Sequence, residues 1–449
     1  MKFLSSRLSK EDRVKAQGSQ SGIDFQEALI RGLASDGGLF VPEKIPNVAS
    51  PWLNQKESFL HLTNQEKHQR VGASIVAAFA EGSSLQKTAL SICVDALNFD
   101  IPLKELSTST VATAEHSLYL LELFHGPTAA FKDVGARFLA SALGVVKAEK
   151  PRLVLVATSG DTGGAVAGAF FKKPMTEVII LFPKGRVSER QEKQLCAWGE
   201  NIQAWAIEGS FDDCQRVVKQ ALASQKLREK VELISANSIS LGRLIPQSIY
   251  YAVASLELFF KTGLSSRFVI PSGNLGNSVA AMVARAMGFP IGQIVLAHNA
   301  NRAVVDYFET GRYEKRETIA THANAMDVGQ PSNFERLLDL FGGDWNLAKS
   351  NTVATSVSDK EIEASIVSSF RDYQQVVCPH TACAMKAAKL LKGAAPVVVV
   401  STAHAAKFES LVEPLVGGKI QVPAALAELL KRPSQVEMLS IAEAVSRLV

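Results

Sequence analysis

Four shortages narrow the field before any motif is read. Long apolar runs are missing: the longest, "APVVVVSTAHAA", is too short and too polar to span a bilayer, and the start, "MKFLSSRLSKEDRVKAQ", has no apolar core of signal-peptide length. A cytoplasmic location is therefore expected. Charge of one sign is scarce as well, with a net +4 over 449 residues and no dense basic tract, so no nucleic-acid partner is expected. A local basic pocket for an anion stays open. Cysteines number five (Cys93, Cys196, Cys214, Cys378, Cys383), odd and scattered, which fits reduced thiols and not a disulfide frame. Cys378, His380 and Cys383 lie close together, but no second Cys/His cluster completes a tetrahedral metal site, and buried or capping roles are expected for them. No fixed-period repeat is visible.

What is present is the composition of an ordinary globular chain, 47% apolar and 20% charged, long enough for two or three domains. From Arg152 onward short β-branched runs alternate with helical stretches, the signature of a parallel sheet wrapped by helices. The expected strands are "RLVLVAT", "EVIILF", "NIQAWAI", "RFVIPS", "GQIVLAH" and "APVVVVST". "EVIILF", "RFVIPS" and "APVVVVST" are nearly continuous apolar runs, as strands buried on both faces should be. The first hundred or so residues carry helix-prone segments and no strand of comparable strength. The tail, "VPAALAELLKRPSQVEMLSIAEAVSRLV", reads as two short helices around a Pro-containing turn. The expected division is an N-terminal extension over 1–95, a first α/β domain over 96–265 and a second over 266–449, with approximate borders.

Ligands in open α/β sheets bind beyond the carboxyl ends of strands, so the strand-to-helix loops matter most. After "RLVLV" come Thr158, Ser159, Gly160, Asp161, Thr162, Gly163 and Gly164, small residues and hydroxyls at a helix start that suit a carboxylate. After "RFVI" come Ser272, Gly273, Asn274, Leu275, Gly276 and Asn277, which would aim backbone amides and a helix N-terminus at one point, as a phosphate needs. That loop is neither a Walker A loop nor GxGxxG, and an ordinary glycine turn reads the same way in isolation. After "APVVVV" come Ser401, Thr402 and His404. A Thr402 hydroxyl would suit an uncharged ring nitrogen, or simply cap a helix. Together the loops argue for a phosphorylated cofactor. Lys132, in "ELFHGPTAAFKDVGARFLA", follows an apolar stretch. It is either a solvated lysine at a helix start or an amine whose pKa is lowered for Schiff-base chemistry.

The blocks "SDGGLFVPEKIP", "LELFHGPTAAFKD", "ATSGDTGGAVA", "SANSISLGRL", "PSGNLGN", "ANAMDVGQPSNFER" and "TAHAAKF", in this order and spacing, resemble the threonine synthase family, pyridoxal-phosphate enzymes of fold type II. The resemblance covers most of the chain. It implies a tryptophan-synthase-β-like α/β fold and the conversion of O-phospho-L-homoserine and water to L-threonine and phosphate. It also implies that Lys132 condenses with the cofactor aldehyde and shuttles protons. Gly273, Asn274, Leu275, Gly276 and Asn277 would hold the cofactor phosphate, with Asp161 near the phenolic oxygen and Thr402 at the pyridine nitrogen. Thr162 would stand by the reacting carbons and Ser159 by the substrate carboxylate. Asn237, Ser238 and Arg243 would form a second anion site for the substrate phosphate, with Lys184 a further candidate there. The chain has Leu275, Gly276 and Asn277 where the family often has Phe-Gly-Asp, and Ser401 and Ala405 where it more often has Gly and Pro. A phospho-lyase ending in a 2-oxo acid, or a homologue acting on a related phosphorylated or phosphonate amino acid, is the alternative reading.

Overall fold

The structure is a computed structural model that describes residues 1–8, 12, 22–107, 117–158 and 160–448. In chain order the strands are β1 (Phe3–Ser5), β2 (Phe40–Pro42), β3 (Leu103–Leu106), β4 (Leu118–Glu122), β5 (Arg152–Ala157), β6 (Thr176–Pro183), β7 (Ile202–Ile207), β8 (Glu232–Ser235), β9 (Ser266–Pro271), β10 (Ile291–His298), β11 (Thr352–Ser356), β12 (Val397–Ser401) and β13 (Glu437–Leu439). They build a six-stranded sheet ordered β11-β10-β9-β12-β4-β3, a five-stranded sheet ordered β13-β7-β6-β5-β8, and the small antiparallel pair β1-β2. Within the two large sheets every pairing is parallel except β3 with β4.

The parallel strands follow from their sequences. Val397 to Val400 and Val154 to Val156 are buried throughout, because helices cover both faces and leave no polar side to alternate with. All six expected strands form, as β5, β6, β7, β9, β10 and β12. The tail departs from expectation in one respect. Its two helices, Ala424–Lys431 and Ile441–Leu448, are separated by β13, which pairs with β7 and covers the edge of the five-stranded sheet.

Neither the first segment nor the sheets follow contiguous stretches of sequence. Phe25, Phe59, Ile75 and Phe79, from residues 1–95, share one apolar cluster with Phe138, Tyr250, Tyr251 and Phe268. Removing side chains of this size from water contributes about 1.5–3 kcal/mol each, which fastens the N-terminal helices to the body. Strands β3 and β4, from the 96–265 segment, belong to the sheet whose other strands lie after residue 265.

Topology places the three informative loops together. In the six-stranded sheet β12 lies between β9 and β4, all parallel, so the chain leaves these three neighbours at the same end. In the five-stranded sheet β5 and β8 are parallel neighbours and deliver the segments after Ala157 and Ser235 in the same way.

Candidate active site

Lys132 opens the helix Lys132–Val145, which follows the loop after β4. That loop is laced to the one after β12: Phe131 N donates to Thr402 O at 2.8 Å, and His404 N donates to Ala129 O at 3.0 Å. Asp133 closes the loop on itself, its carboxylate accepting from Thr128 N at 2.8 Å and from Thr128 Oγ1 at 2.7 Å. The result is a lysine in a fixed place beside Thr402.

The surroundings of Lys132 decide between its two readings. Its Nζ sits 4.8 Å from the centre of the Phe131 ring, and among the described residues no carboxylate lies within ion-pair distance of it. Burial disfavours the ammonium form, and the nearby cations Arg243 and Lys407 add to that effect against the opposing pull of Asp161, bringing the pKa down to about 8. Lys132 is therefore no solvated surface cation.

The chamber around it is lined by Asp161, Ser238, Arg243, the loop Ser272 to Ser278, His380 and Thr402. Arg243 is fully buried on the short helix Leu241–Leu244; its Nη1 donates to Ala236 O at 2.5 Å, while Nε and Nη2 find no partner among the described residues. Burial lowers its pKa to about 10, still far above neutrality. The Asn277 Oδ1 accepts from the hydroxyls of Tyr250 at 2.5 Å and Tyr251 at 2.8 Å. Those two bonds fix the amide, and its Nδ2 is left unpartnered. Gly273 lies against the next wall, where an added Cβ would come within 2.7 Å of the Met326 Cα, so no larger residue fits. The helix Gly276–Ala286 starts at this loop with Leu275 at φ 62° and no side-chain cap, leaving its first amides to another acceptor.

Three unpartnered donor atoms, on Arg243 and Asn277, beside an uncapped helix N-terminus make a site for a multivalent anion, because buried donors left unsatisfied are costly. A phosphate meets that need. An amine of lowered pKa in the same chamber meets the need of an aldehyde.

Asp161 is held differently. Burial would raise its pKa, but the ammonium of Lys407, at 2.7 Å from Oδ1, together with His380 and a hydrogen bond from Gln191 Nε2 at 3.1 Å, brings it down to about 2. Lys407 also donates to Thr128 O at 3.0 Å. His380 accepts from Ala325 N through Nε2 at 3.1 Å, and burial takes its pKa down to about 4, so the ring is neutral at pH 7. Sequence reasoning did not single out Lys407 or Asp133, and considered His380 only for metal. A charged residue inside the apolar-flanked "TAHAAKF" was the available signal for Lys407. Cys378 caps the helix Pro379–Ala388, its sulfur accepting from Thr381 N at 3.5 Å.

A second chamber shares Lys132, Ser238, Asn274 and Ala325 with the first and adds Thr158, Thr162, Lys219, Asn237 and Gln330. It continues into a cleft of about 1190 Å³. Asn274 joins the walls, donating from Nδ2 to Ser238 Oγ at 2.6 Å and accepting at Oδ1 from Ser332 N at 2.5 Å.

The structure thus brings together Lys132, Asp161, Ser238, Arg243, Gly273, Asn274, Leu275, Gly276, Asn277 and Thr402, with Thr162 and Asn237 in the adjoining chamber. It separates Arg243 from Asn237, although the two were expected to form one anion site. The short helix turns the Arg243 side chain toward the glycine loop, while Asn237 accepts from Ala157 N at 3.2 Å on the other side. Lys184 lines neither chamber; it is half exposed and faces Glu208 at 3.5 Å. Ser159 lies outside the described residues.

This geometry agrees with what the chain resembles. A family model described as "Pyridoxal-phosphate dependent enzyme" matches residues 96–403, one described as "Threonine synthase N terminus" matches 14–97, and one described as "Threonine synthase, C-terminal" matches 381–449. The threonine synthase of Haemophilus influenzae is 39% identical over 420 residues, covering 93% of this chain and 93% of that protein. The crystal structure of threonine synthase from Escherichia coli superposes with a TM-score of 0.86 at 33% identity, covering 100% of this chain and 98% of that one. The structure of pyridoxal-phosphate-bound threonine synthase from Brucella melitensis gives 0.85 at 32% identity, covering 100% and 98%. The chain belongs to the threonine synthase family of pyridoxal-phosphate-dependent enzymes, fold type II.

Proposed function

We propose that this protein converts O-phospho-L-homoserine and water to L-threonine and phosphate, with pyridoxal phosphate as its cofactor. The observation that carries the reading is the pairing of a half-buried, cation-flanked amine on Lys132 with unpartnered donors on Arg243 and Asn277 in one chamber, next to a second chamber that opens to the cleft.

The loop Gly273 to Asn277 would hold the cofactor phosphate, and Arg243, whose chamber it is, would add the fixed positive charge that phosphate oxygens favour. Arg243 thereby moves in this proposal from the substrate phosphate to the anion on the loop. When bound, the cofactor ring withdraws electrons from the carbon skeleton attached to it. The chain supplies position and proton transfer. Lys132 Nζ, with its pKa near 8, is close enough to neutrality to take a proton from substrate Cα and return one later. Asp161, pinned by Lys407, stays anionic and offers a fixed acceptor at the chamber wall. Thr402 presents a hydroxyl, so a ring nitrogen facing it is not held protonated. Thr162, Asn237 and Ser238, on the cleft side of Lys132, would receive the substrate's polar groups. A reducing compartment such as the cytoplasm suits five buried free thiols.

The test is incubation with O-phospho-L-homoserine, measuring released phosphate and identifying the organic product. Threonine equal to the phosphate is the expected result; phosphate with a 2-oxo acid moves the protein to the phospho-lyase reading. Borohydride should fix the cofactor to Lys132, and a label on another lysine overturns the assignment.

A further inference from the structure

The second chamber has a charge balance of its own. Among the described residues two ammoniums line it, Lys132 and Lys219, and no carboxylate does. Its other polar walls are hydroxyls and carboxamides, among them Thr162, Gln215, Asn237 and Gln330. A space that gathers positive charge and neutral donors without an acid suits an anion. Lys132 is occupied with the carbon chemistry and Arg243 with the glycine loop, so Lys219 is the cation left to meet that anion.

Helix periodicity brings Lys219 to the chamber. The helix Phe211–Ala223 is fixed at its start, where Ser210 Oγ accepts from Asp213 N at 3.2 Å and the Asp213 carboxylate accepts from Ser210 N at 2.7 Å. Cys214, Val217, Val218 and Ala221 bury its inner face against β5, β6 and β7. Phe211, Gln215, Val218, Lys219 and Leu222, spaced by four, three, one and three, form a single stripe along the chamber. Lys219 is the one charged residue of that stripe. Asp212 and Arg216, turned off it, line the cleft and not the chamber, and Arg216 is matched to Asp213 at 2.6 Å.

Lys219 lines both the chamber and the cleft, so it stands where the two meet, exposed and with no ion pair among the described residues. The acids of the cleft, Asp212, Glu317, Asp327 and Glu335, stay out of the chamber. Asp327 accepts from Asn299 Nδ2 at 2.7 Å, Glu335 is paired with Arg7 at 3.1 Å, and Asp212 lies two helical turns before Lys219, about 10 Å along the axis.

We propose that Lys219 is a specificity-determining residue whose ammonium receives the phosphate of the substrate, an inference that rests on phosphohomoserine being that substrate. In phosphohomoserine the phosphorus stands four bonds beyond Cα. A substrate with Cα at Lys132 and phosphate at Lys219 spans the chamber and keeps its leaving group on the side that opens to the cleft. The released phosphate then departs without crossing the chamber. A compact charge on a flexible stem can follow a group that arrives and leaves in every turnover, whereas the buried guanidinium of Arg243 suits a phosphate that stays.

The experiment compares wild type, Lys219→Met, Lys219→Arg and Arg216→Met as holoenzymes. Each is titrated with L-2-amino-5-phosphonopentanoate, in which a methylene replaces the ester oxygen so that phosphate cannot leave, and with L-norvaline, which keeps the amine, carboxylate and carbon chain without the phosphonate. Cofactor absorption reads both. Lys219→Met should weaken the phosphonate about tenfold or more, the size of one charge-assisted bond, and leave L-norvaline within about twofold. Lys219→Arg should hold the phosphonate within about threefold, and Arg216→Met, the same loss of charge one turn away, within about twofold. In turnover Lys219→Met should raise the KM for phosphohomoserine about tenfold with kcat within about threefold. A wild type that binds both ligands alike, a Lys219→Met protein that weakens neither or weakens both equally, an Arg216→Met loss as large, or a fall in kcat with KM unmoved overturns the assignment. A 2-oxo acid as product removes the proposed function instead, and the phosphonate titration still decides Lys219.

Discussion

The turn after β5 and the turn after β9 both carry a strand over glycine into a helix, and they treat their polar groups in opposite ways. In the first, Thr158 Oγ1 accepts from Gly160 N and Gly163 N, both at 3.0 Å, and Asp161 is matched to Lys407 and Gln191. Gly160, at φ 139°, makes that closure possible in a conformation side chains rarely adopt. In the second, Leu275 offers the helix no side-chain cap, and the Asn277 amide and the Arg243 guanidinium face the chamber with atoms unpartnered. Among its described residues the first turn leaves no buried side-chain nitrogen or oxygen unpartnered. The second is complete only with an anion, so the place where the fold leaves polar groups unsatisfied marks where a ligand belongs.

Changes of residue and of pH break or sharpen that contrast. The largest effect belongs to Lys132→Ala, which should lower turnover about 10³-fold or more, read by phosphate release, since Lys132 is the amine proposed to carry the proton at substrate carbon. Next, Asp161→Asn leaves the Lys407 ammonium buried without its partner, and a loss of about 3–5 kcal/mol is expected in chemical denaturation. Arg243→Met should do the reverse, sparing the stability of the cofactor-free protein and weakening cofactor retention on dialysis. An Asp161→Asn protein as stable as wild type, or an Arg243→Met protein that unfolds without cofactor, erases the distinction between the turns. Gly273→Ala pushes a Cβ toward the Met326 backbone and should destabilise by about 1–3 kcal/mol, seen as a lower midpoint in urea.

A further change is of pH. Burial takes Lys132 from 10.5 to about 8, so between those values the unfolded chain holds a proton that the folded chain has released. Stability from this group therefore rises with pH across that window. Cofactor-free wild type should gain on Lys132→Met as pH goes from 8 to 10, and a flat difference contradicts the lowered pKa. The smallest effect is at Lys184. Its pairing with Glu208 is solvent-exposed, and Lys184→Ala should leave the KM for phosphohomoserine within roughly twofold of wild type.

How much of this could be read in advance depended on whether the physics was local. Strands β5, β6, β7, β9, β10 and β12 were legible because burial on both faces makes each a continuous apolar run. β8 is only four residues, and β11 and β13 lie at sheet edges where partly exposed positions dilute the pattern, so none of these stood out. The glycine and hydroxyl loops were legible too, since backbone conformation and donor supply are written in adjacent residues. Lys407 was not, because its partner Asp161 belongs to a different sheet's loop, and a lysine in an apolar-flanked stretch signals burial without naming the partner. The same holds for Arg243. Which of two adjoining chambers it enters depends on the direction of one side chain on a four-residue helix, a matter of packing and not of spacing.

The strand order has a consequence for biogenesis. β12 occupies the middle of the six-stranded sheet, flanked by β9 and β4, yet it is the last of those strands to be made. During synthesis, β4 and the lysine-bearing helix after it must wait beside an empty slot until residues 397–401 have left the ribosome. The wait leaves unpaired apolar strand edges exposed, a circumstance in which nascent chains rely on chaperones. A polypeptide halted shortly before Val397 should be far more prone to aggregate than one halted after Phe408.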